Sequence, residues 1–262
     1  IKSHFNKLER KLNKFKKEYD NFYSIDLDEI FANHGYLQIY DSRNWYIASC
    51  RFSEFGIEKI VETLSDVIKK IHQPAKKVLV LDCDNTLWGG VIGEDGIENI
   101  KIGTDGIGKI FLDFQKVIKN LKKQGILLVI ASKNNEADVL DVFNNHSSMT
   151  LKINDITAHK INWKSKTINI KEMANDLGLG LDSFVFWDDN PLEREKVKKE
   201  LPEVTTIEVD ENIHEWPSKI ENLNLFVNLK SSKEDKNKTT QYRNRYKFIS
   251  EKKVSKSEND YL

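Results

Sequence analysis

The sequence predicts an α/β fold with a mostly parallel sheet and helices on both of its faces. Three short runs are almost wholly apolar, at Val78–Leu81, at residues 126–131 and at Phe184–Trp187. Such runs are typical of strands that are covered on both faces. The segments between them carry apolar residues at helical spacing. This alternation of strands and helices favours a parallel sheet with crossover helices.

The amino-terminal part is predicted to be helical or mixed. A Lys-rich amphipathic helix is expected in residues 1–20, and no element is assigned to the aromatic-rich residues 21–55. A second amphipathic helix should begin near Ile57 and end before Pro74. The apolar positions that indicate these two helices are Phe5, Leu8, Leu12 and Phe15, and then Ile60, Val61, Leu64, Ile68 and Ile71.

The remaining elements follow from periodicity and from capping residues. In chain order they are a helix over 110–121 ended by Gly125, a helix over 135–143, a strand at 149–153, a helix with Ser165 as its N-cap and Gly178 at its end, a helix that begins at Pro191, and a last strand at 204–209.

The 262 residues are expected to divide into three parts. These are an N-terminal helical or mixed segment over 1–75, a catalytic core over 76–210 and a helical tail over 211–262. The connections that follow the first and third predicted strands are short, so we expect a minimal cap over the ends of the sheet and no large lid domain.

Composition excludes several classes of protein. Lys+Arg and Asp+Glu both number 41, so no global field attracts nucleic acid or an anionic membrane. No apolar run reaches the roughly 18 residues of a membrane span. The two cysteines, Cys50 and Cys83, provide no disulfide framework. We therefore expect a reduced, cytoplasmic protein. Because the chain starts at Ile1, it is expected to be an excised piece of a longer protein or a processed form.

The segment 82–86, with the sequence DCDNT, follows directly after the predicted strand Val78–Leu81. Alternation along a strand sends Asp82 and Asp84 to one side and Cys83 to the other. Two neighbouring carboxylates repel each other unless a proton or a cation lies between them. Mg²⁺ prefers oxygen ligands. The motif therefore indicates metal-dependent chemistry on a charged substrate such as a phosphate.

Polar residues also follow the other predicted strands, at the edge of the sheet where ligands bind. Asp82 is the expected nucleophile, and Asp84 is the expected acid and base. The predicted phosphate-binding residues are Thr86, Ser132, Lys133, Asn134 and Lys166. The predicted metal ligands are Asp82, Asp84, Asp188 and Asp189. A Lys at a helix N-terminus opposes the helix dipole, which favours a functional role for Lys166 as part of an anion site.

These motifs, in this order, resemble the haloacid dehalogenase (HAD) superfamily of aspartyl-phosphate enzymes, so a HAD-like (Rossmannoid) fold is expected. Longer strings resemble its FkbH-like glyceryltransferase/phosphatase family over roughly residues 35–245. They are DCDNTLWGGVIGEDG, ILLVIASKNN, INWKSKTINI, FVFWDDNPLEREKV and, in the tail, SSKEDKNKTTQY.

The resemblance implies a specific activity. FkbH-like proteins act in polyketide assembly, where they take the glyceryl unit of 1,3-bisphosphoglycerate, remove its phosphates and load it on the phosphopantetheine arm of an acyl carrier protein. Residues that match the family's motifs are Asp82 as nucleophile, Asp84 as acid/base, Ser132 and Lys166 as phosphate binders, and Asp188 as metal ligand. Cys83 matches the cysteine that is thought to carry the glyceryl thioester.

Alternatives remain open at this point. Cys83 is either an acyl carrier or a small buried hydrophobe, and Cys50 is the less favoured carrier. Lys164 competes with Lys166, and His159 is expected in an exposed loop. The stretch Trp88-Gly89-Gly90 is expected to form a turn and a flap. The rival functions are a plain phosphatase of small phosphoesters or phosphoproteins and a non-catalytic docking domain of a megasynthase.

Overall fold

A computed structural model describes residues 2–19, 22–72, 76–223, 225–226, 241–246, 248–249 and 252. The chain divides into two compact units, residues 1–73 and 74–262. Among the described residues, no helix has both the length and the apolar character that crossing a lipid bilayer requires.

The first unit is helical. Its helices are α1 (Lys2–Glu18), α2 (Leu27–His34), α3 (Tyr36–Ile39), α4 (Ser42–Ala48) and α5 (Glu54–His72). Asp26 caps α2 by accepting a hydrogen bond of 2.9 Å from the Asp28 amide. Both helices predicted in this part are present, and Pro74 lies outside the described residues.

The second unit contains a five-stranded parallel sheet in the order β3-β2-β1-β4-β5. The strands are β1 (Val78–Leu81), β2 (Leu127–Ser132), β3 (Ala158–Ile161), β4 (Phe184–Trp187) and β5 (Thr205–Thr206). From β1, the chain adds β2 and β3 on one side of the sheet and then β4 and β5 on the other side. This reversal places a crevice at the carboxyl end of β1.

Helices cover both faces of this sheet, as predicted. The helices that follow β1 are α6 (Ile92–Asp95), α7 (Gly106–Lys123), α8 (Glu136–Asn145), α9 (Lys166–Leu177), α10 (Pro191–Glu200) and α11 (Trp216–Glu221). Leu79 and Leu81 of β1 pack into one core with Phe114 of α7. Val78 and Val80 pack into a second core on the other face. Strand alternation thus divides β1 between two apolar layers.

The third strand does not lie where the sequence predicted it. Residues 149–153 are not a strand, because the Thr150 and Leu151 amides donate to the Gln115 side chain instead of a ladder. The apolar residues of this loop pack into the core. The observed β3 is an edge strand with two half-buried residues, so it lacks the apolar run of a central strand. His159 consequently lies on β3, and its placement in an exposed loop was wrong.

The last predicted strand shortens to Thr205–Thr206 at the opposite edge of the sheet. Beyond it, α11 packs on α7, and the Trp216 ring lies 6.3 Å from Phe111 and 5.8 Å from Phe114. Residues 241–246 are helical, and the Tyr246 hydroxyl donates to the His159 carbonyl at 2.8 Å. Residues 227–240, which include most of the string SSKEDKNKTTQY, lie outside the described residues.

The minimal cap is also present as predicted. Between β1 and α7 the chain forms only a short flap, in which Gly89 and Lys101 pair in an isolated bridge. Between β3 and α9 it needs only residues 162–165. Both connections are fully described, and neither holds an inserted domain.

Candidate active site

The carboxyl end of β1 carries the first of the predicted site residues. The Asp82 amide donates to the Trp187 carbonyl at 3.3 Å, which continues the pairing of β1 with β4 by one residue. Asp82 and Asp188 therefore leave neighbouring strands at the same level of the sheet. This is the crevice in which ligands bind in open parallel sheets.

Lys166 lies between these two acids. Its Nζ is 2.8 Å from Asp82 Oδ2 and 2.5 Å from Asp188 Oδ2, and the lysine is 3% exposed. Lys164, by contrast, is exposed and lies 3.7 Å from Glu172. The first residue of α9 therefore supplies the cation of the site. Its unfavourable position against the helix dipole is offset by two buried carboxylates.

Three carboxylates form a group that can hold a metal ion. One oxygen each from Asp82, Asp188 and Asp189 lies within 4.8 Å of the others. Asp82 Oδ1 is buried and has no hydrogen-bond partner among the described residues. An orphaned buried carboxylate oxygen is costly unless a ligand satisfies it. The three hard oxygen donors fit Mg²⁺.

Other oxygens of this group have protein partners. The Asn190 amide donates to Asp188 Oδ1 at 2.9 Å. The Thr86 hydroxyl donates to Asp189 Oδ1 at 3.2 Å. Thr86, which the sequence assigned to phosphate binding, thus contacts a candidate metal ligand.

The Asp84 carboxylate is not brought into the three-acid group. Its Oδ1 accepts hydrogen bonds from the Trp88 indole N–H at 2.9 Å and from the Ile92 amide at 3.1 Å. Its Oδ2 accepts one from the Asn134 side chain at 2.7 Å. Asp84 is therefore fixed in orientation by three donors. That suits an acid or base which must meet a substrate oxygen.

The acids of the site carry shifted pKa values. Burial, followed by the charge of Asp82, raises the pKa of Asp188 to about 7. The same two causes raise the pKa of Asp189. Burial is the main cause that raises the pKa of Asp84. These raised pKa values reflect repulsion between closely spaced negative charges, which a bound cation would reduce.

The pKa of Lys166 is shifted by two opposing effects. Burial alone would lower its pKa, but the charges of Asp82 and Asp188 outweigh burial and raise it. The lysine therefore stays charged next to the acids. One ammonium faces three carboxylates, which leaves net negative charge at the place where an anionic substrate would have to bind.

Cys83 lies away from this group. It is fully buried and packs in the core with Leu81 and Leu87. Burial, with the neighbouring charge of Asp82, raises the pKa of its thiol well above the usual value. The predicted alternation is thus present, and it places the thiol in an apolar layer. Cys50 is partly buried and lies in the first unit.

The other predicted phosphate binders lie at the end of β2. Ser132 is 1% exposed, and its hydrogen bond to Cys83 partly opposes the rise of the pKa of that thiol. Lys133 is half-exposed, and its Nζ lies 2.6 Å from Glu193 of α10. The phosphate-binding roles of these two residues stay predictions.

Arg194 is a residue that the sequence reasoning missed. Its Nη1 donates to the Asp188 carbonyl at 2.8 Å and to the Asp189 carbonyl at 2.7 Å, and its Nη2 donates to the Val209 carbonyl at 3.4 Å. It lies in the first turns of α10, where a cation opposes the helix dipole. Helical side chains point back toward the N-terminus, so an Arg at this position can reach the loop of acids that precedes the helix.

The Trp88 indole was missed as well, since the sequence assigned its stretch only to a turn and flap. That flap is present: Gly90 has a φ of +100°, and a side chain at Gly89 would meet Phe111 at 2.8 Å. A tryptophan four residues after Asp84 carries no signal of its own. Only the folded flap shows its N–H directed at Asp84.

Comparison with solved structures provides an informative match. Neither the protein-family models nor the curated proteins contain a match to the chain. Among solved structures, the chain is similar to the N-terminal part of the protein BF1531 from Bacteroides fragilis, which contains a phosphatase domain complexed with Mg. The identity is 37% and the TM-score is 0.73. The match covers 86% of this chain and 60% of that structure.

The chain shares the fold of this phosphatase domain. The HAD-like α/β fold expected from the sequence is thereby confirmed. The chain spans about 60% of the length of the matched structure.

Proposed function

We propose that this chain is a Mg²⁺-dependent phosphatase of the HAD type with Asp82 as its nucleophile. The observation that carries the proposal is the buried, unpartnered Oδ1 of Asp82 among the described residues, next to Lys166 and two further acids. The similarity to a phosphatase domain complexed with Mg supports it. Asp82, Asp188 and Asp189 would hold the ion, which offsets the repulsion between an anionic nucleophile and a phosphate.

The reaction proceeds in two displacements. An Asp82 oxygen attacks phosphorus, an O–P bond forms, and the bond to the leaving oxygen breaks while Asp84 gives that oxygen a proton. Water then attacks the aspartyl phosphate and transfers a proton to Asp84, which releases inorganic phosphate and restores both acids. Lys166, which contacts Asp82 Oδ2 at 2.8 Å, orients the nucleophile.

Steady-state hydrolysis of acetyl phosphate and of aryl phosphates tests this function. We expect turnover with Mg²⁺ and none after chelation. Asp82→Asn should abolish it, because an amide is a poor nucleophile. Turnover that survives either change would overturn the proposal. Glu203→Gln, an exposed acid outside the site, is the matched control and should behave like the wild type.

A narrower proposal is glyceryl transfer from 1,3-bisphosphoglycerate to an acyl carrier protein. The FkbH-like strings support it, and so does an edge of the sheet with no inserted domain, because a phosphopantetheine arm needs open access. Burial of Cys83 favours a route in which the carrier thiol attacks the acyl carbon directly. A C–S bond forms, the C–O bond to phosphate breaks, the thiol proton goes to solvent, and Asp82 removes the second phosphate.

Intact-protein mass spectrometry distinguishes this route from transfer through Cys83. With Mg²⁺, 1,3-bisphosphoglycerate and a holo carrier protein, the direct route predicts a loaded carrier for both the wild type and Cys83→Ala. An acyl adduct on the wild-type enzyme that is lost in Cys83→Ala would establish the thioester route. A carrier that stays unloaded in every case would leave the plain phosphatase.

A further inference from the structure

A cavity of about 670 Å³ opens beside the carboxylates. Asn85 and Gly90 of the flap form one side of it, and Asp189 lies on its lining. Asn85 directly follows the candidate acid Asp84, and Asp189 belongs to the three-acid group. The cavity therefore adjoins the three-acid group through Asp189. Its volume lies within the range of roughly 300–1,000 Å³ that small-molecule sites occupy.

Part of the cavity wall is apolar. Ile107 and Phe111 of α7 face it from one side, and Ile213 and Trp216 of the C-terminal segment line it as well. The rings of Phe111 and Trp216 lie 6.3 Å apart, and both residues are buried. These rings belong to the packed core, so the wall is formed before a ligand arrives. Burial of a ligand's apolar surface against it is favourable by roughly 25 cal/mol per Å².

The rim of the cavity is polar. Exposed Lys101 lies on the flap and exposed Glu211 lies on the C-terminal segment. Asp210, which also lines the cavity, is held by Lys219 at 2.5 Å. The lining thus combines an apolar wall with polar groups, a combination that small-molecule sites use for affinity and orientation.

We propose that this cavity binds the organic part of the substrate and selects phosphate compounds with an apolar body of aryl or branched-alkyl size. The inference rests on the proposed phosphatase function and is an alternative to the glyceryl-transfer proposal, whose substrate has no apolar body. The flap and the short connection before α9 contain no inserted domain, so the surfaces next to the acids are candidates for selecting the substrate. The cavity is such a surface, and bare phosphate or acetyl phosphate would leave it unfilled.

Binding measurements test the cavity without relying on turnover. In isothermal titration calorimetry with Mg²⁺, the wild type should bind 2-naphthylmethylphosphonate at least tenfold more tightly than methylphosphonate. Ile107→Trp, which fills the cavity from α7, should abolish that preference. Ile107 is 45% exposed, so the substitution is compatible with folding. Ile213→Trp fills the cavity from the C-terminal segment and should have the same effect.

Ile168→Trp is the matched control, because Ile168 is 48% exposed on α9 and does not line the cavity. It should retain the preference for the naphthyl compound. The ratio of kcat/KM for 2-naphthyl phosphate to that for acetyl phosphate should fall at least tenfold in both filled variants and stay within twofold in the control. The intrinsic reactivity of each substrate cancels when these ratios are compared between variants.

The outcomes separate the two proposals. No preference for the naphthyl compound in the wild type, or the same preference in both filled variants, overturns the cavity assignment. A binding preference that the filled variants lose, together with no Mg²⁺-dependent hydrolysis of either phosphate, overturns the phosphatase function and leaves the cavity as a ligand site.

Discussion

The Trp88 indole N–H donates to Asp84 Oδ1 over 2.9 Å, and both residues lie in the flap that follows β1. Asn134 holds the other oxygen of the same carboxylate. Asp84 is therefore oriented from two sides, by the flap and by the loop after β2. If Asp84 is the acid and base of the reaction, its proton affinity depends on these donors.

Trp88→Phe is expected to lower kcat and to move the acidic limb of the pH profile of kcat to higher pH. A donor stabilises the charged carboxylate, so losing it raises a pKa that burial has already raised. Asp84 must then lose its proton at a higher pH before it can accept one from water. Hydrogen bonds to charged groups contribute about 1.5–3 kcal/mol, so kcat should fall about ten- to a hundredfold.

The pH profile of kcat for aryl phosphate hydrolysis checks this. Trp163→Phe is the control, since Trp163 is 77% exposed. A lower kcat with an unchanged acidic limb would mean that Trp88 acts only by packing, through its edge contact with Phe143.

Cys83 is predicted to be unreactive in the folded protein. Its thiol is buried, and its raised pKa leaves little thiolate at neutral pH. An aromatic disulfide reagent should therefore modify one thiol of the native chain, that of partly buried Cys50. The Cys50→Ser variant should show no fast reaction until it is denatured. Fast modification of Cys83 in the native variant would reopen its role as an acyl carrier.

Lys166→Met is predicted to abolish turnover and to lower the melting temperature in the absence of Mg²⁺. It removes the cation that separates Asp82 from Asp188, and breaking a buried ion pair costs about 3–5 kcal/mol. A divalent cation relieves the same repulsion, so added Mg²⁺ should raise the melting temperature more in the variant than in the wild type.

Thermal melts with and without Mg²⁺ measure this difference. Lys164→Met removes a neighbouring cation whose side chain is 61% exposed, and it should leave both turnover and melting temperature close to wild type. If Lys164→Met impairs turnover as much as Lys166→Met, the assignment of the catalytic lysine is wrong.

The sequence predicted the strands whose residues are all buried. β1, β2 and β4 lie in the middle of the sheet and are buried along their whole length, so their apolar runs are unambiguous. The edge strand β3 carries half-buried His159 and Lys160, and its pattern resembles a loop. The loop 149–153 resembles a strand for the opposite reason, because its apolar residues pack into the core. Apolar composition reflects burial and does not show whether the backbone pairs with a neighbouring strand.

The same distinction applies to the site. Asp82, Lys166 and Asp188 could be placed together because each follows a strand or begins a helix at one edge of a parallel sheet. The contacts of Thr86 with Asp189 and of Asn134 with Asp84 depend on rotamers and on the fold of the flap. The order of residues along the chain does not determine rotamers or the fold of the flap, so only the structure shows these contacts.

Arg194 is predicted to control the affinity for Mg²⁺ by holding the loop of acids. Its guanidinium donates to the backbone carbonyls of Asp188 and Asp189, and the residue is 8% exposed. Arg194→Met leaves these carbonyls without their donor, at a cost of about 1–3 kcal/mol each. The acids can then shift, and the Mg²⁺ concentration for half-maximal activity should rise at least tenfold, while kcat at saturating Mg²⁺ changes less than threefold.

Titration of activity with Mg²⁺ provides the measurement. Arg194→Lys should restore part of the affinity, because an ammonium can reach one carbonyl where the guanidinium reaches two. Lys196→Met changes an exposed cation of the same helix and should have no effect. A fall in kcat at saturating Mg²⁺ without a change in the Mg²⁺ requirement would contradict the positioning role. Arg194 would then act on the chemical step, because the loop of acids would bind the ion equally well without it.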